Sequence, residues 1–585
     1  MKYSNIPSAY SIVHHCKSNG IKNIVISPGS RNAPLIIGFS EDSFFSCFSI
    51  VDERCAAFFA LGIAQQINEP VAVICTSGSA LLNYYPAIAE AFYSAIPLVV
   101  ISADRPEYKL DIGDGQTINQ RNVFQNHIGY SANLKQDVTH ATNTIKHFVV
   151  DINLEEDTIK DKQSTIQAHN DSELHKALCF ASTESLPVHI NVPFEEPLYA
   201  KIAQAPVVPF GMEIDDEQEQ PKIDINDFST IWNTSKKKIV LVGVNPPNTI
   251  EQQFLDELAE DKSVLVFTET TSNIHHPNFF SSIDSILVPI EKGEDTEALS
   301  KALQPDILLT FGGLIVSKKI KSFLRKHKPK HHWHIGAKKA RDTFFCLTHH
   351  FKISPNEFFP DFLNALEEQE SHYYPFWSPI RDAYIQKREE YLKEVSFSDM
   401  AAFNFVLKAI PDNYQLQLAN SSTVRYTQLF NLNPTLKVFC NRGTSGIDGS
   451  TSTAIGASIY SEEPTLFITG DLSFFYDSNG LWNKYIKSNF RIILINNSGG
   501  GIFRILPGMG ATYNFESYFE TSHDYDAEQI CKMYGFEYLI AEDQPKLKNI
   551  LYDFYKKSNT PKLLEIKTPR LLNNKILLSY FDFIS

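Results

Sequence analysis

The sequence predicts an α/β fold of three doubly wound parallel-sheet domains, and three observations carry that expectation. Short β-favouring apolar runs recur along the 585 residues and alternate with stretches of helical period. The runs are continuous rather than alternating in polarity, as in strands buried on both faces. Polar, often glycine-bearing turns follow them repeatedly, where open parallel sheets place their ligand loops.

In the first block, Asn23–Ile26, Phe48–Val51, Val71–Cys75, Leu98–Ile101 and Val188–Val192 read as buried strands, with amphipathic Glu53–Ile67 and Ser79–Ser94 between them. Thr139 to Ser172 is polar and reads as an irregular surface excursion. Pro206–Asp227, with Asp215-Asp216-Glu217-Gln218-Glu219, reads as an acidic linker. The second block has strands at Lys238–Val244, Ser263–Phe267, Asp306–Phe311 and His332–Ile335, with no obvious chemistry at their ends. Pro355 to about Met400, helical in period over Asp382–Val395, reads as a linking arm. The third block has strands at Tyr414–Leu418, Leu436–Cys440, Thr465–Thr469, Arg491–Ile495 and Lys562–Ile566.

Bulk properties narrow the function. Hydrophobic content of 43% and charged content of 21% describe a globular chain with sizeable cores. A formal net charge of −15 argues against a nucleic-acid partner. No apolar run reaches membrane-spanning length, and Ala95–Ala103 fits a buried strand. Met1-Lys2-Tyr3-Ser4 opens without the apolar stretch of a signal peptide, so a cytoplasmic location is expected. The 8 cysteines include no Cys-x-x-Cys pair and are expected to be reduced thiols. His-His pairs at 14–15, 275–276, 331–332 and 349–350 lack zinc-ligand spacing and read as surface or loop histidines.

The densest chemistry lies between Ile468 and Ile505. The segment between Thr465–Thr469 and Arg491–Ile495 is long enough for a crossover helix, so these strands should be parallel neighbours. Asp471 and Asn497 then leave adjacent carboxyl ends and can converge on one ion. A carboxylate, an amide oxygen and backbone carbonyls make a hard oxygen site, suited to Mg²⁺ with a phosphate-bearing ligand. Gly499-Gly500-Gly501 would let backbone N–H groups approach that phosphate. The plainer reading is an ordinary strand–turn–helix. Gly-Asp followed 26 residues later by Asn-Asn resembles the diphosphate anchor of thiamine-diphosphate (ThDP) enzymes.

Other strand ends are also polar. Ser27-Pro28-Gly29-Ser30-Arg31 suits an anion, with Arg31 as a fork for carboxylate or phosphate, or equally a helix cap with a solvated arginine. Glu53, in Val51-Asp52-Glu53-Arg54, reads alone as a first-turn helix acid. Thr76-Ser77-Gly78-Ser79-Ala80, Ala103-Asp104-Arg105-Pro106 and Gly113-Asp114-Gly115-Gln116 follow. In the third block come Asn420-Ser421 with Arg425, then Asn441-Arg442-Gly443-Thr444-Ser445-Gly446-Ile447-Asp448-Gly449. Ile447, apolar within that loop, is either tucked into the core or wedged against a flat heterocycle.

Together, Ser27–Arg31, Val51–Arg54, Ala103–Pro106, Asn441–Gly449, Gly470–Ser473 and Asn496–Phe503 resemble the MenD family of ThDP enzymes, the 2-succinyl-5-enolpyruvyl-6-hydroxy-3-cyclohexene-1-carboxylate (SEPHCHC) synthases of menaquinone biosynthesis. The resemblance spans nearly the whole chain and is weakest in the middle. It implies a pyruvate decarboxylase-like architecture: a pyrimidine-binding domain over 1–205, a central α/β domain over 206–365 and a diphosphate-binding domain over 366–585. It implies Mg²⁺ or Mn²⁺ on Asp471, Asn497 and the Gly499 carbonyl. Ser421, Ile447, Gly470, Ser473, Gly500 and Phe503 would contact the cofactor, and Glu53 would pair with its aminopyrimidine ring.

The implied reaction is decarboxylation of 2-oxoglutarate and 1,4-addition of the succinyl carbanion to isochorismate. Both substrates are dianions, and Arg31, Arg105, Arg425, Arg442, Lys318 and Lys319 would receive them, with Ser30, Gln116 and Ser421 as uncharged donors. Of these, Arg31, Ser30, Gln116, Arg425 and Arg442 join Glu53 as the catalytic set. The chain departs from the family at Gly115, where members often carry Asn, and at Lys319, where they often carry Arg. In the family the cofactor lies between subunits, so a homodimer or homotetramer is implied. The alternatives are another ThDP-dependent 2-oxoacid decarboxylase or carboligase, and a non-catalytic phosphate- or nucleotide-binding module.

Overall fold

The computed structural model describes residues 2–149, 154–210, 224–505 and 513–585. Most of the expected acidic linker, including Asp215–Glu219, lies outside them. The chain forms two compact units: Met1–Gln218 with Gly443–Glu462 and Tyr476–Lys487, and Glu219–Arg442 with Glu463–Phe475 and Ser488–Ser585.

The first unit holds strands β1 (Tyr3–Ser4), β2 (Asn23–Ile26), β3 (Ser46–Ser49), β4 (Val71–Cys75), β5 (Leu98–Asp104), β6 (Tyr130–Asn133), β7 (Val188–Pro193) and β8 (Lys201–Ile202). Six of them form a parallel sheet in the order β3-β2-β4-β5-β7-β6, and β1 pairs antiparallel with β8. Every residue of β4 and β5 is buried, as continuous apolar runs require.

The helix Glu53–Ile67 is capped by the Asp52 side chain, which accepts from the Cys55 N–H, and ends at Asn68 in the left-handed region. It packs against the helix Ser450–Ser458 at backbone contact. A Cβ on Gly62 would lie 2.1 Å from the Thr453 carbonyl oxygen, and one on Gly456 would lie 2.0 Å from that of Phe59. Glycine at both positions permits this approach.

The expectation of an irregular excursion over Thr139–Ser172 is wrong. Thr142–Phe148 is helical, and Glu156–Glu184 forms a helix of 29 residues. Its buried stripe runs Gln163, Gln167, Asn170, Asp171, Leu174, Ala177, Leu178, Ala181. The spacing is helical, but the first half of the stripe is polar, so hydrophobicity conceals it. Most of those polar groups have partners: the Gln163 side-chain oxygen accepts from the Val138 N–H at 2.9 Å, and Asp171 meets His15 at 2.9 Å, while the Gln167 oxygen is buried without one.

The second unit holds two parallel sheets. One comprises β9 (Lys238–Val242), β10 (Val264–Phe267), β11 (Ile307–Phe311), β12 (His331–Ile335) and β13 (His349–Phe351), in the order β10-β9-β11-β12-β13. The other comprises β14 (Gln415–Leu418), β15 (Lys437–Cys440), β16 (Thr465–Gly470), β17 (Arg491–Asn496), β18 (Glu537–Ala541) and β19 (Lys562–Lys567), in the order β15-β14-β16-β17-β19-β18. This order repeats that of the first sheet, strand for strand. Besides the two-residue strands β1 and β8, three strands escaped the sequence reading: β6, β13 and β18. Each lies at a sheet edge and is only partly buried; β6 and β13 carry polar residues, and β18 offers only the short run Tyr538–Ala541.

The expected linking arm is also a correction. Pro355–Asn364 and Tyr373–Glu394 are helices whose Phe358, Phe359, Phe362, Tyr373 and Trp377 enter the cores around the five-stranded sheet. The expected helix Ser79–Ser94 is two, Ser79–Asn83 and Tyr85–Ser94, with proline in the first turn of the second. The histidine pairs are not all surface or loop residues: His15 and His332 are buried, and His331–His332 and His349–His350 lie within strands. All 8 cysteines are free thiols. Among the described residues no helix is long and apolar enough to cross a membrane.

Candidate cofactor site

In the six-stranded sheet of the second unit, β16 and β17 are parallel neighbours with Gly470 opposite Ile495. A short helix, Asp471–Tyr476, and a turn at Ser478–Leu481 make the crossover between them. The order of connection reverses between β14 and β16, which opens a crevice at their carboxyl ends. Asp471 and Asn497 each stand one residue beyond their strand.

Asp471 is held twice. Its Oδ1 accepts from the Leu472 N–H at 2.7 Å and its Oδ2 from the Gly499 N–H at 2.9 Å. His523 Nε2 lies 3.3 Å from the same Oδ2. Asn497 is 8% exposed, and its Nδ2 donates to Asp399 Oδ2 at 2.9 Å. Its Oδ1 is buried without a hydrogen-bond partner. Burial pushes the Asp399 carboxyl up to about 6, against bonds from Thr568 and Asn497 and with help from the nearby Asp471 charge.

The glycine run is held from behind by Glu520. Its carbonyl accepts from the Gly500 N–H at 2.6 Å, and its buried carboxylate is gripped by Arg504 and Arg570. Gly499 adopts φ +144, and a Cβ there would lie 2.8 Å from the Glu520 carbonyl oxygen. A Cβ on Gly470 would meet nothing within 4 Å, so its surface opens onto the crevice. The Phe503 ring lies beside Gly500, and Ser473 is buried in the short helix.

These features fit a divalent cation with a diphosphate. An orphaned buried amide oxygen, a carboxylate pinned beside it and a glycine carbonyl supply hard oxygen donors. Among the described residues no group of three His, Cys, Asp or Glu side chains offers a competing metal site.

A cationic cluster lies in the same unit. Arg425 Nη1 donates to the Ser421 carbonyl at 2.6 Å, and Arg442 Nη1 to Asn420 Oδ1 at 2.6 Å. Ser421 has φ 69 at the head of the short helix Ser422–Thr427. Burial, then the neighbouring Arg442, lowers the Arg425 pKa. Burial likewise lowers that of Lys321, where Glu269 opposes the effect and Arg442, Arg325 and Lys318 add to it. Cations that depress one another are relieved by an anion. Beneath them, Glu269 accepts the Val316 and Ser317 N–H groups at 2.7 Å each, and burial pushes its carboxyl up to about 7. Lys318 is exposed at the start of the helix Lys318–Lys326. Lys319 is paired with Glu291 instead.

In the first unit, Glu53 opens its helix, half-buried, as the plainer reading expected. Its carboxylate lies near Cys75 and Tyr84. Burial, then the Glu53 charge, pushes the Cys75 thiol well up. Tyr84 donates to Ser27 Oγ at 3.2 Å. Arg105 Nη1 donates to Ser77 Oγ at 2.8 Å and the Gln116 carbonyl at 3.2 Å. Gly78, at φ +86, allows the Gln116 backbone to pack against it. The arginine therefore joins three loops, and Gln116 and Ser30 are exposed. Arg31 is buried, donating to the Phe194 carbonyl at 2.9 Å and to Glu196. The loop carrying half-buried Ile447 is fixed by Glu90, which accepts the Gly443 and Thr444 N–H groups at 2.6 Å each.

The sequence reading missed Asp399, Glu520, Glu90, Glu269 and Lys321. Asp399 follows Ser398, a recognisable helix cap, but nothing in its own neighbourhood of sequence ties it to Asn497.

Residues 8–133 match the family described as thiamine pyrophosphate enzyme, N-terminal TPP binding domain, and residues 420–566 its C-terminal TPP binding domain. The chain is 54% identical to the SEPHCHC synthase of Christiangramia forsetii, over 100% of both chains. It is 50% identical to that of Flavobacterium johnsoniae, over 99% of each, and 34% identical to that of Porphyromonas gingivalis, over 100% of this chain and 98% of the other. The chain belongs to the SEPHCHC synthase family of thiamine pyrophosphate enzymes.

Proposed function

We propose that this chain is a SEPHCHC synthase, which decarboxylates 2-oxoglutarate with ThDP and a divalent metal and adds the succinyl carbanion to isochorismate. The observation that carries it is the Asn497 amide oxygen, buried and unpartnered beside the pinned Asp471 carboxylate, in a chain collinear with synthases of that name. When bound, ThDP supplies the carbanion chemistry.

The chain's own residues then divide the work. Asp471, Asn497 and the Gly499 carbonyl hold Mg²⁺ or Mn²⁺. Gly470, Ser473 and Gly500 face the diphosphate, while Ser421, Ile447 and Phe503 position the rings. Glu53 would pair with the pyrimidine ring nitrogen, a role its lack of a hydrogen-bond partner among the described residues leaves open to it. Arg425 and Arg442 receive substrate carboxylates, with Lys318 at the edge of the cluster. Arg105, Arg31, Gln116 and Ser30, in loops of the first unit, would offer donors to a dianionic substrate. Arg31 would keep its bonds to Glu196 and Phe194 and offer Nε, which is buried without a partner. Lys319 has the weakest claim, because Glu291 already engages it.

The division 1–205, 206–365 and 366–585, self-association as a homodimer or homotetramer, and a cytoplasmic location belong to the same reading.

The test is a coupled assay with ThDP, Mg²⁺, 2-oxoglutarate and isochorismate, read by mass spectrometry of the product. Equal yields of CO₂ and SEPHCHC are expected. Release of CO₂ from pyruvate, with none from 2-oxoglutarate, would point to another 2-oxoacid decarboxylase.

A further inference from the structure

We propose that Asp399 is a positioning residue that aims the Asn497 amide oxygen at the metal, so that a carboxylate behind the ligand sets the strength of divalent-cation binding. The inference rests on reading Asp471, Asn497 and Gly499 as the metal site.

An asparagine side chain can present either end, and only its oxygen can bind a cation. Asp399 decides which end turns inward. An ionised carboxylate only accepts, so Asp399 Oδ2 can face only the NH₂ end of Asn497, which it meets at 2.9 Å. The Asn497 oxygen is thereby turned the other way, where it is buried and has no partner. Rotating the amide by half a turn would set oxygen against oxygen and lose the bond.

Asp399 cannot follow such a rotation, because it is itself fixed. It is 2% exposed and stands in the first turn of the helix Asp399–Ala409. Its Oδ1 accepts from Thr568 Oγ1 at 2.6 Å, and its backbone N–H donates to Asn573 Oδ1 at 2.8 Å. Asn573 Nδ2 donates in turn to Thr568 Oγ1 at 3.2 Å. Thr568 follows β19, the neighbour of β17, so the network ties Asn497 to the adjacent strand end and to two helix starts. Partners of this kind orient ligands and raise metal affinity without touching the ion.

The test measures Mn²⁺ affinity by the electron paramagnetic resonance of free Mn²⁺, with ThDP in excess. Asp399→Leu removes both acceptors and is expected to weaken Mn²⁺ binding at least ~10-fold. The double variant Asp399→Asn with Asn497→Asp exchanges donor and acceptor, restores one hydrogen bond and still offers an oxygen to the metal. It is expected to bind Mn²⁺ within ~3-fold of wild type, or more tightly. The exchange also guards against misfolding of Asp399→Leu, since it keeps a polar pair of the same shape and total charge. Asp399→Leu binding at wild-type strength would overturn the inference, as would an exchanged pair that is folded but weak, or unfolded. A wild type with no ThDP-dependent Mn²⁺ binding would overturn the functional reading and this inference with it.

Discussion

Glu90 and Thr444 lie 354 residues apart and meet at 2.6 Å, the carboxylate accepting the backbone N–H, with a second bond at 2.9 Å from the threonine hydroxyl. Glu90 also holds the Gly443 N–H, so one buried side chain fixes the entry to the loop that carries Ile447. Glu90→Gln keeps the shape but offers one acceptor where the loop needs two. A loss of ~2 kcal/mol in stability is expected from an N–H left unsatisfied. Chemical denaturation checks it, and ThDP affinity should fall in parallel because the loop is released.

Gly62 admits no side chain. Gly62→Ala drives a methyl group into the Thr453 carbonyl and should cost ~2 kcal/mol or more by overpacking two helices at backbone contact. Thermal unfolding measures it. A variant as stable as wild type would contradict the packing of Glu53–Ile67 on Ser450–Ser458.

Glu269 predicts a pH dependence of stability. Its folded-state carboxyl is raised from 4.5 to about 7 by burial. Between those values the unfolded chain gives up the proton before the folded one, so this group's contribution falls as pH rises. Stability attributable to Glu269 should be fully present below pH ~4.5 and lost by pH ~7, a span of ~3 kcal/mol. Unfolding free energy followed from pH 4.5 to 8 should decline less steeply in Glu269→Gln than in wild type.

Arg442 and Lys319 should behave oppositely. Arg442→Gln removes a buried cation from the cluster with Arg425 and should reduce kcat/KM for the dianionic substrates ~100-fold, as expected for loss of a charge-assisted contact of ~3 kcal/mol. ThDP affinity should hardly change. Lys319→Ala breaks only a partly exposed ion pair with Glu291, so kcat/KM should stay within ~3-fold of wild type. Steady-state kinetics with each substrate varied decides both.

Much of the fold was legible because β4, β5, β16 and β17 are buried on both faces and so read as unbroken apolar runs. The edge strands β6 and β13 were not, because half-exposed strands carry polar residues that look like loop, and β18 has only a short apolar run, Tyr538–Ala541. The helix Glu156–Glu184 hid for a related reason: its inward stripe is built partly of Gln, Asn and Asp. The placement of Asp471 and Asn497 at adjacent strand ends was legible, since each directly follows a strand in the sequence. Glu90, Asp399 and Glu520 were not, because a buried carboxylate that serves distant backbone or amide groups has no signature in its own stretch of sequence. Lys319 shows the converse. The family resemblance suggested substrate contact for it, yet Glu291 on the neighbouring helix engages it.

The repeated strand order has a stoichiometric consequence. Aligning the two six-stranded sheets places Asp471 opposite Thr76 and Asn497 opposite Arg105, each the first residue after its strand. Where one copy of the motif supplies oxygen donors, its twin carries a permanent guanidinium. On the proposed reading, cation capture belongs to one of the two matching sheets alone, and equilibrium dialysis should return one tightly held divalent ion per chain.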